Sequence, residues 1–199
     1  MPKKKNNLSY IQQYLFDSYD YLEKLGVKPF LIGSTLLQLI RSGDFIERHQ
    51  MDREINFGCL AENLTPERLE KIRKDNGYYE TITGFALGGI LFDKLSRDPK
   101  RQEPWGRKAF TLLVLFYPTE YKRFEDLGAG RCLSWNKEHL EKFDHIIWKG
   151  KRLRVPSNPK DWLSHYFGKD WRKEKLDWHW AKDANNFEAI VSHYNLSKG

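Results

Sequence analysis

The stretch GSTLLQLIRSGDFIERHQMDREINFG, residues 33–58, joins a small-residue turn, an apolar helical pattern and an alternating acidic segment. Ser34 is a typical helix N-cap, so the residues after it predict a helix that stops at Gly43. The segment REINFGCL alternates polar and apolar residues and predicts a β-strand. Residues 52, 54 and 56 would then lie on one face of that strand. The stretch therefore places a helix N-terminus beside a strand face that carries two acids and an amide.

This arrangement predicts a site for phosphoryl-transfer chemistry. Asp52 and Glu54 have the spacing to share one hard cation, Mg²⁺ or Mn²⁺, through their carboxylate oxygens. Free backbone N–H groups and the positive end of the helix dipole at Ser34 would attract phosphate, and Gly33 would let the phosphate approach the backbone closely. The same pattern is also typical of a helix cap beside a solvated strand face. The residues alone leave both interpretations open.

The remainder of the chain alternates helical and strand patterns, which favours an α/β or α+β fold with a mixed sheet flanked by helices. The strands near residues 30–32, 52–59 and 108–117 are expected to be neighbours in that sheet. The other predicted elements are a helix over 8–25, a helix from 66 to about 76, two strands within 78–95, a loop over 96–107, a hairpin around Lys149-Gly150, a helix from Pro159 to Gly168 and a last helix over 183–195.

Length and composition predict one domain, residues 8–199, with an aromatic-rich C-terminal segment and a basic disordered tail at residues 1–7. No apolar run is long enough to span a bilayer, and no secretory signal is present. Cys59 and Cys132 form neither a disulfide framework nor a zinc quartet. These features predict a cytoplasmic protein, either free or peripheral at the inner membrane face.

The net charge of +7, from 34 Lys and Arg against 27 Asp and Glu, favours anionic partners. Phosphorylated small molecules, nucleic acid and an anionic membrane surface all fit this charge. No motif of a known nucleic-acid-binding module occurs in the sequence, so nucleic acid is disfavoured. A basic surface that merely keeps the protein soluble remains an alternative.

Two blocks of the chain resemble the LicD/fukutin family, whose members have a nucleotidyltransferase-like fold. In the first block, IGSTLLQLIRSGDFI matches through Gly33, Leu36, Leu37, Arg41, Gly43 and Ile46, and DREINFG matches through Asp52, Ile55 and Gly58, with Glu54 as a conservative replacement. The second block is KGKRLRVPSNPKDWLSHYFGKDWR, which is similar to the segment of the family that contains Val-Pro, Tyr-Gly and Asp-Trp. Together the blocks cover roughly residues 10 to 172.

The resemblance implies a metal-dependent phosphotransferase. It would move a phospho-alcohol of the phosphocholine or ribitol-phosphate type from a CDP-activated donor to a cell-surface glycan. The donor pyrophosphate would lie at Gly33, Ser34 and Thr35. Catalysis would depend on Asp52 and Glu54 as Mg²⁺ or Mn²⁺ ligands. Arg41 would neutralise a phosphate, although a helix-surface salt bridge is an equal alternative. The cargo, the acceptor sugar and the oligomeric state remain open.

Three departures from the family pattern put catalysis in doubt, one of which is that the spacer before Asp52, ERHQ, is longer than usual and lacks the Trp that normally precedes the acids. Asn56 stands in place of a third acid and offers only one neutral oxygen, so it would be a weak third metal ligand. The family also has an aspartate on a later buried strand, where this chain has Val114 or a neighbour. Asp44, Glu47 or His49 could substitute for the missing acid. The alternative function is therefore a catalytically impaired protein that binds a nucleotide or a sugar without turnover.

The C-terminal third is rich in tryptophan and basic residues, and Trp171 is the best candidate for a ring that stacks on the substrate. The alternative is that these rings pack the last helices onto the sheet. His165 is expected to be half-buried and structural.

Overall fold

Helices and strands are mixed along the chain, as the sequence predicts, although they alternate only in its first part. The computed structural model describes residues 9–45, 54–75, 77–83, 86–93, 110–118, 123–126, 132–175, 177–178 and 180–188. The helices are α1 Tyr10–Lys24, α2 Gly33–Ser42, α3 Pro66–Asp75, α4 Glu138–Glu141, α5 Pro159–Phe167 and α6 Trp180–Asp183. The strands are β1 Phe30–Leu31, β2 Glu54–Leu60, β3 Gly77–Thr83, β4 Ala86–Asp93, β5 Phe110–Pro118, β6 Arg123–Asp126, β7 Cys132–Asn136, β8 Phe143–Trp148, β9 Lys151–Pro156 and β10 Phe187–Glu188.

Eight of the strands in the described residues form one mixed sheet, in which β5 is the central strand. One edge of β5 pairs in parallel with β2, and β2 pairs on its other side with the short antiparallel strand β1. The other edge of β5 is shared between β4 and β6, and the sheet continues through β7 to β10. The prediction that the strands near residues 30, 54 and 110 are neighbours is confirmed, and so is the α+β class with a sheet flanked by helices.

The core lies between this sheet and the helices, and aromatic rings fill much of it. Phe30 on β1 packs against Phe116 on β5, with ring centroids 5.4 Å apart, and against Phe143 on β8 at 4.9 Å. Tyr14 and Leu22 on α1 are fully buried. Helix α1 is therefore held by an apolar stripe at helical spacing, which is the pattern that its sequence shows.

The hairpin β8–β9 is a separate two-stranded sheet that forms hydrogen bonds and an ion pair with α1 and with the end of α2. Its turn at Lys149-Gly150 has positive φ at both residues, 46° and 81°, as a tight two-residue hairpin turn requires. Trp148 Nε1 donates to the carbonyl oxygen of Gly43 at 3.1 Å. Arg154 pairs with Glu23 on α1 at 2.8 Å. The predicted hairpin is confirmed.

Several local predictions need correction. Helix α2 begins at Gly33, with Ile32 as its N-cap, so Ser34 lies inside the first turn and does not cap the helix. The predicted last helix over 183–195 is wrong over its first part, because α6 ends at Asp183 and residues 187–188 form the strand β10. The sequence did not predict β6, β7 or α4. The basic tail at residues 1–7 and the loop over 96–107 lie outside the described residues.

Candidate functional site

The N-terminus of α2 is joined to strand β2 at a single residue, Asn56. The backbone N–H of Ile32 donates to the carbonyl oxygen of Asn56 at 3.2 Å. The backbone N–H of Asn56 donates to Thr35 Oγ1 at 2.9 Å, and its side-chain Nδ2 donates to Ser34 Oγ, also at 2.9 Å. Three hydrogen bonds thus fix the turn at residues 32–35 on the strand. Asn56 is only 8% exposed, so its orientation is set by these partners.

The first turn of α2 offers backbone N–H donors. The first N–H groups of a helix have no partner within the helix, and at α2 these belong to Gly33, Ser34 and Thr35. The N-cap residue is Ile32, which makes no side-chain capping bond. An apolar N-cap is unusual, because polar side chains at that position normally satisfy these donors. The helix end is therefore suited to an anionic ligand through its N–H groups and its dipole.

Gly33 has two structural reasons to be glycine. Its φ is +54°, a conformation that residues with a Cβ rarely adopt. A Cβ built at this position would also lie 3.3 Å from Cβ and Cγ of Asn56, closer than ordinary van der Waals contact. The glycine in the predicted phosphate turn is thus required by the contact between α2 and β2.

Glu54 lies on the same strand face as Asn56, because side chains alternate along a strand. The two residues are about 7 Å apart along the strand. Asp52 lies outside the described residues. Among the residues that the structure describes, no three His, Cys, Asp or Glu side chains form a metal-binding group. The oxygen atoms that this strand face and the turn could offer a metal ion are those of the Glu54 carboxylate, the Ser34 hydroxyl and the Asn56 amide. All are hard ligands of the kind that Mg²⁺ and Mn²⁺ prefer.

Strand β5 brings apolar residues to the side of this site. In the parallel register Leu112 is opposite Asn56, and Val114 is opposite Gly58. Val114 is 9% exposed and belongs to the core. The segment from residue 110 to residue 118 contains no acid, so β5 offers no carboxylate over that length. The sequence suggested that the acid expected near Val114 is missing, and β5 accordingly supplies no carboxylate to the site.

Arg41 and Asp44 lie toward the other end of α2. Arg41 is seven residues after Ser34, so it is on nearly the same helix face but about 10 Å further along the axis. Asp44 accepts hydrogen bonds from Gln12 Nε2 at 2.9 Å and from the N–H of Phe45 at 2.8 Å, and it pairs with Lys149. Through these partners Asp44 links α1, the end of α2 and the hairpin. Because its carboxylate already has these partners, Asp44 does not fit the predicted role of substitute metal ligand. Glu47 and His49 lie outside the described residues.

Two residues predicted to bind substrate are buried. Thr35 is fully buried, and its hydroxyl accepts the Asn56 N–H, so its side chain joins α2 to β2. Trp171 is 4% exposed, and the guanidinium carbon of Arg172 lies 4.3 Å from its ring centroid. A base could not stack on that ring without rearrangement. This geometry therefore does not support contact of either side chain with a substrate.

Trp162 and His165, also in the C-terminal third, have structural partners within the protein. Trp162 is fully buried and stacks on Trp135 with ring centroids 3.6 Å apart and an interplanar angle of 7°. His165 Nε2 lies 2.9 Å from the carbonyl oxygen of Ser134, which confirms its half-buried structural role. The packing alternative for Trp162 is therefore confirmed.

The link from Asn56 to Ser34 is the feature of the site that the sequence did not indicate. The two residues are 22 positions apart, and no local pattern relates an amide on a strand to a hydroxyl in a distant helix turn. Asn56 was predicted as a weak metal ligand. In the folded chain its amide nitrogen holds the turn instead, while no described residue donates a hydrogen bond to its amide oxygen.

The fold has a counterpart among solved structures. The chain is similar to the crystal structure of a lincosamide antibiotic adenylyltransferase, LnuA, with lincomycin bound. The TM-score is 0.51 and the sequence identity 14%, and the match covers 80% of this chain and 87% of that one. At this identity the likeness shows the fold alone, which is of the nucleotidyltransferase kind. No family model matches the chain, and no curated protein matches it.

The resemblance to the LicD/fukutin family is therefore wrong. No family model supports it, and a structural neighbour of the chain is a lincosamide adenylyltransferase. The CDP-activated donor and the glycan acceptor were implied by that resemblance alone, so they have no remaining support.

Among the helices of the described residues, none is both long and apolar enough to cross a bilayer.

Proposed function

We propose that this protein is a nucleotidyltransferase that moves a nucleoside monophosphate from a nucleoside triphosphate to a hydroxyl group of a small acceptor. The observation that carries the proposal is the junction of the uncapped N-terminus of α2 with the strand that bears Glu54. A helix end binds phosphate oxygens, and a neighbouring carboxylate supplies a ligand for the cation that accompanies them. The fold shared with an adenylyltransferase supports the same class of reaction.

Each part of the site has a distinct role in this proposal. The N–H groups of Gly33 and Ser34 bind the oxygens of the triphosphate. Arg41, on nearly the same face of α2, neutralises the charge of the far end of the triphosphate. Glu54, together with Asp52, holds Mg²⁺ or Mn²⁺. When bound, this cation neutralises charge that develops on the reacting phosphate.

A second candidate function is binding of the nucleoside triphosphate without turnover. The observation that favours it is the composition of the strand face, where Asn56 and the neighbouring Leu112 supply no carboxylate. A site with the charge of only Asp52 and Glu54 would hold a divalent cation less firmly than a site with three acids. Under this alternative the N–H groups of Gly33 and Ser34 still bind phosphate, while group transfer is lost.

The test measures pyrophosphate release and product formation with ATP, GTP, CTP and UTP in the presence of Mg²⁺ or Mn²⁺. Lincomycin is the first acceptor to try, followed by other hydroxyl-bearing antibiotics and free sugars. Glu54→Ala should lower the rate at least about 100-fold, since a catalytic cation contributes several kcal/mol. The control is Glu62→Ala, which removes an exposed acid just beyond β2 and should leave the rate unchanged.

The two candidate functions give different results. A wild type that binds a nucleoside triphosphate and transfers nothing to any acceptor supports the binding function. Full transfer activity in Glu54→Ala would rule out the cation site described above. A wild type that binds none of the four nucleotides, measured by calorimetry, would contradict both candidates.

A further inference from the structure

The exposed face of the hairpin β8–β9 carries a large apolar side chain among basic residues. Ile147 is 72% exposed, and in the described part of the chain it is the one large apolar side chain that is largely exposed. Arg152 lies directly opposite Ile147 on β9, and Arg154 lies opposite His145. Opposite residues of a strand pair share a face, and so do alternate residues of one strand. Ile147 therefore has Arg152 and His145 as its neighbours on this face.

The charge of Arg152 has no acidic partner among the described residues. The other three cations of the hairpin each form an ion pair with a carboxylate: Lys149, Lys151 and Arg154. Arg152 Nη2 instead lies 3.1 Å from His145 Nδ1. A guanidinium is always protonated, so it is the donor, and Nδ1 accepts with its lone pair. A neutral histidine thus orients the arginine and leaves its positive charge available to an external anion.

Positive charge dominates this face of the hairpin. Partial burial lowers the pKa of His145, and the charges of Arg152 and Arg154 lower it further. Asp144 and Glu23 raise this pKa, but by less. His145 is therefore neutral at neutral pH, as its role of hydrogen-bond acceptor requires. A face with this balance of charges attracts an anionic partner.

The outer edge of β8 is open to a further strand. Among the described residues, β8 pairs with β9 alone. The two-residue turn at Lys149-Gly150 makes Trp148 and Lys151 a hydrogen-bonded pair, and from there inward-directed and outward-directed backbone groups alternate along the strand. The N–H and C=O groups of His145 and Ile147 therefore point away from β9. An extended peptide can add to such groups as a new strand.

We propose that the edge of β8 binds an extended segment of a partner protein that carries a carboxylate and an apolar side chain on the same face. The backbone of the segment pairs with the outward N–H and C=O groups of β8. Its apolar side chain covers Ile147, and its carboxylate pairs with Arg152. The inference is independent of the proposed function, in which neither residue takes part.

Other partners fit this face less well. A second copy of this chain, paired through β8, would bring the same arginines toward one another. Nucleic acid would use the positive charge but leave the exposed isoleucine without an apolar partner. A single isoleucine also buries too little apolar area to hold the protein on a bilayer.

The strand geometry fixes the sequence pattern of the bound segment. Residues two positions apart in a strand share a face, so the acid must lie two positions from the apolar residue. Arg152 lies two strand spacings, about 10 Å, from the added strand, a gap that the side chains of arginine and glutamate span together. The expected acid–apolar pattern is therefore Glu or Asp two positions from Val, Ile or Leu.

The test is a selection of random octapeptides displayed on phage against the full chain. A parallel selection uses the double variant Ile147→Ser, Arg152→Gln. The wild type should enrich peptides with the acid–apolar pattern, and the double variant should not. The most enriched sequence is then synthesised, and its affinity is measured by fluorescence anisotropy at physiological ionic strength.

The single variants separate the two side chains. Arg152→Gln should weaken binding of the synthetic peptide about 10-fold, which corresponds to the loss of one hydrogen bond between charged groups. Ile147→Ser should weaken it about 5-fold through lost apolar contact. The control is Lys160→Gln, which removes an exposed cation on α5 and should leave the affinity unchanged. Thermal unfolding reports whether each variant is folded.

Three results would overturn the inference. The first is a selection that enriches no acid–apolar peptide, or one whose peptides bind the double variant as well as the wild type. The second is unchanged affinity of the peptide after methylation of every other backbone nitrogen, in both possible phases, because such peptides cannot pair with β8. The third is binding of random-sequence RNA or anionic vesicles that Arg152→Gln abolishes while no acid–apolar peptide is enriched, which would assign the face to another class of partner.

Discussion

At the scale of single residues, glycines mark where the backbone of β2 is approached most closely. Gly58 has no room for a side chain, because a Cβ there would lie 2.4 Å from Cε2 of Phe30 and 2.7 Å from Cε2 of Phe116. Both rings are fully buried and are held by further aromatic neighbours. Gly58 thus leaves room for the Phe30 and Phe116 rings, which lie over the backbone of β2.

Gly58→Ala should destabilise the protein by about 2–3 kcal/mol, because the rigid rings cannot move away without losing their own contacts. Urea unfolding followed by tryptophan fluorescence measures the change. In the double variant with Phe30→Leu, the alanine should add a smaller loss, since the smaller side chain leaves room for it. Unchanged stability in Gly58→Ala would show that the rings adjust freely.

At the scale of elements, the decisive contact is that between α2 and β2. Helix α2 follows β1 after a single residue, and its first turn folds back onto β2 through the bonds of Asn56. The buried hydroxyl of Thr35 satisfies the N–H of Asn56. Without this hydroxyl a buried backbone donor would lose its partner.

Thr35→Val should destabilise the protein by about 1–3 kcal/mol, because it keeps the shape of the side chain but removes the acceptor. Thr35→Ser keeps the acceptor and loses only a methyl group, so it serves as the matched comparison. Hydrogen exchange of the Asn56 amide should speed up in the valine variant and remain slow in the serine variant. Equal exchange rates in the two variants would contradict the bond between these residues.

At the scale of the whole molecule, β2 lies inside the sheet with neighbours on both edges, and its Cys59 reports on global opening. The side chain of Cys59 is fully buried, and this burial raises the pKa of its thiol to about 12. The thiolate is the form that reacts with alkylating agents. Cys59 should therefore be unreactive as long as the sheet is intact.

In a Cys132→Ser background, iodoacetamide should fail to label Cys59 at pH 8 and should label it fully in denaturing urea. Because the folded pKa lies above that of a free thiol, the stability that the neutral thiol contributes is present below about pH 9 and is lost as the pH rises toward 12. Mass spectrometry of the labelled protein measures the reaction. Rapid labelling of the folded protein at pH 8 would show that β2 opens locally.

Local sequence patterns were sufficient for the elements that have a clear signal of their own. The Lys149-Gly150 turn, the helix that runs from Pro159 to the stop at Gly168, and the alternating strand at Glu54 were all predicted within a few residues. Each carries its own signal in turn residues, helix stops or side-chain periodicity. The strands β6, β7 and β10 are only four, five and two residues long, so they carry little such signal, and β10 pairs with β7 from a distant part of the chain.

The sequence by itself determined that a small-residue turn precedes a strand with acids, and it therefore indicated phosphate chemistry. It did not determine the family: the LicD resemblance rested on short blocks, and the fold corresponds to that of an adenylyltransferase. Only the tertiary structure decided that Asn56 bonds to Ser34 and Thr35, and that Thr35 and Trp171 are buried. These facts depend on contacts between segments far apart in the chain, which residue spacing does not encode.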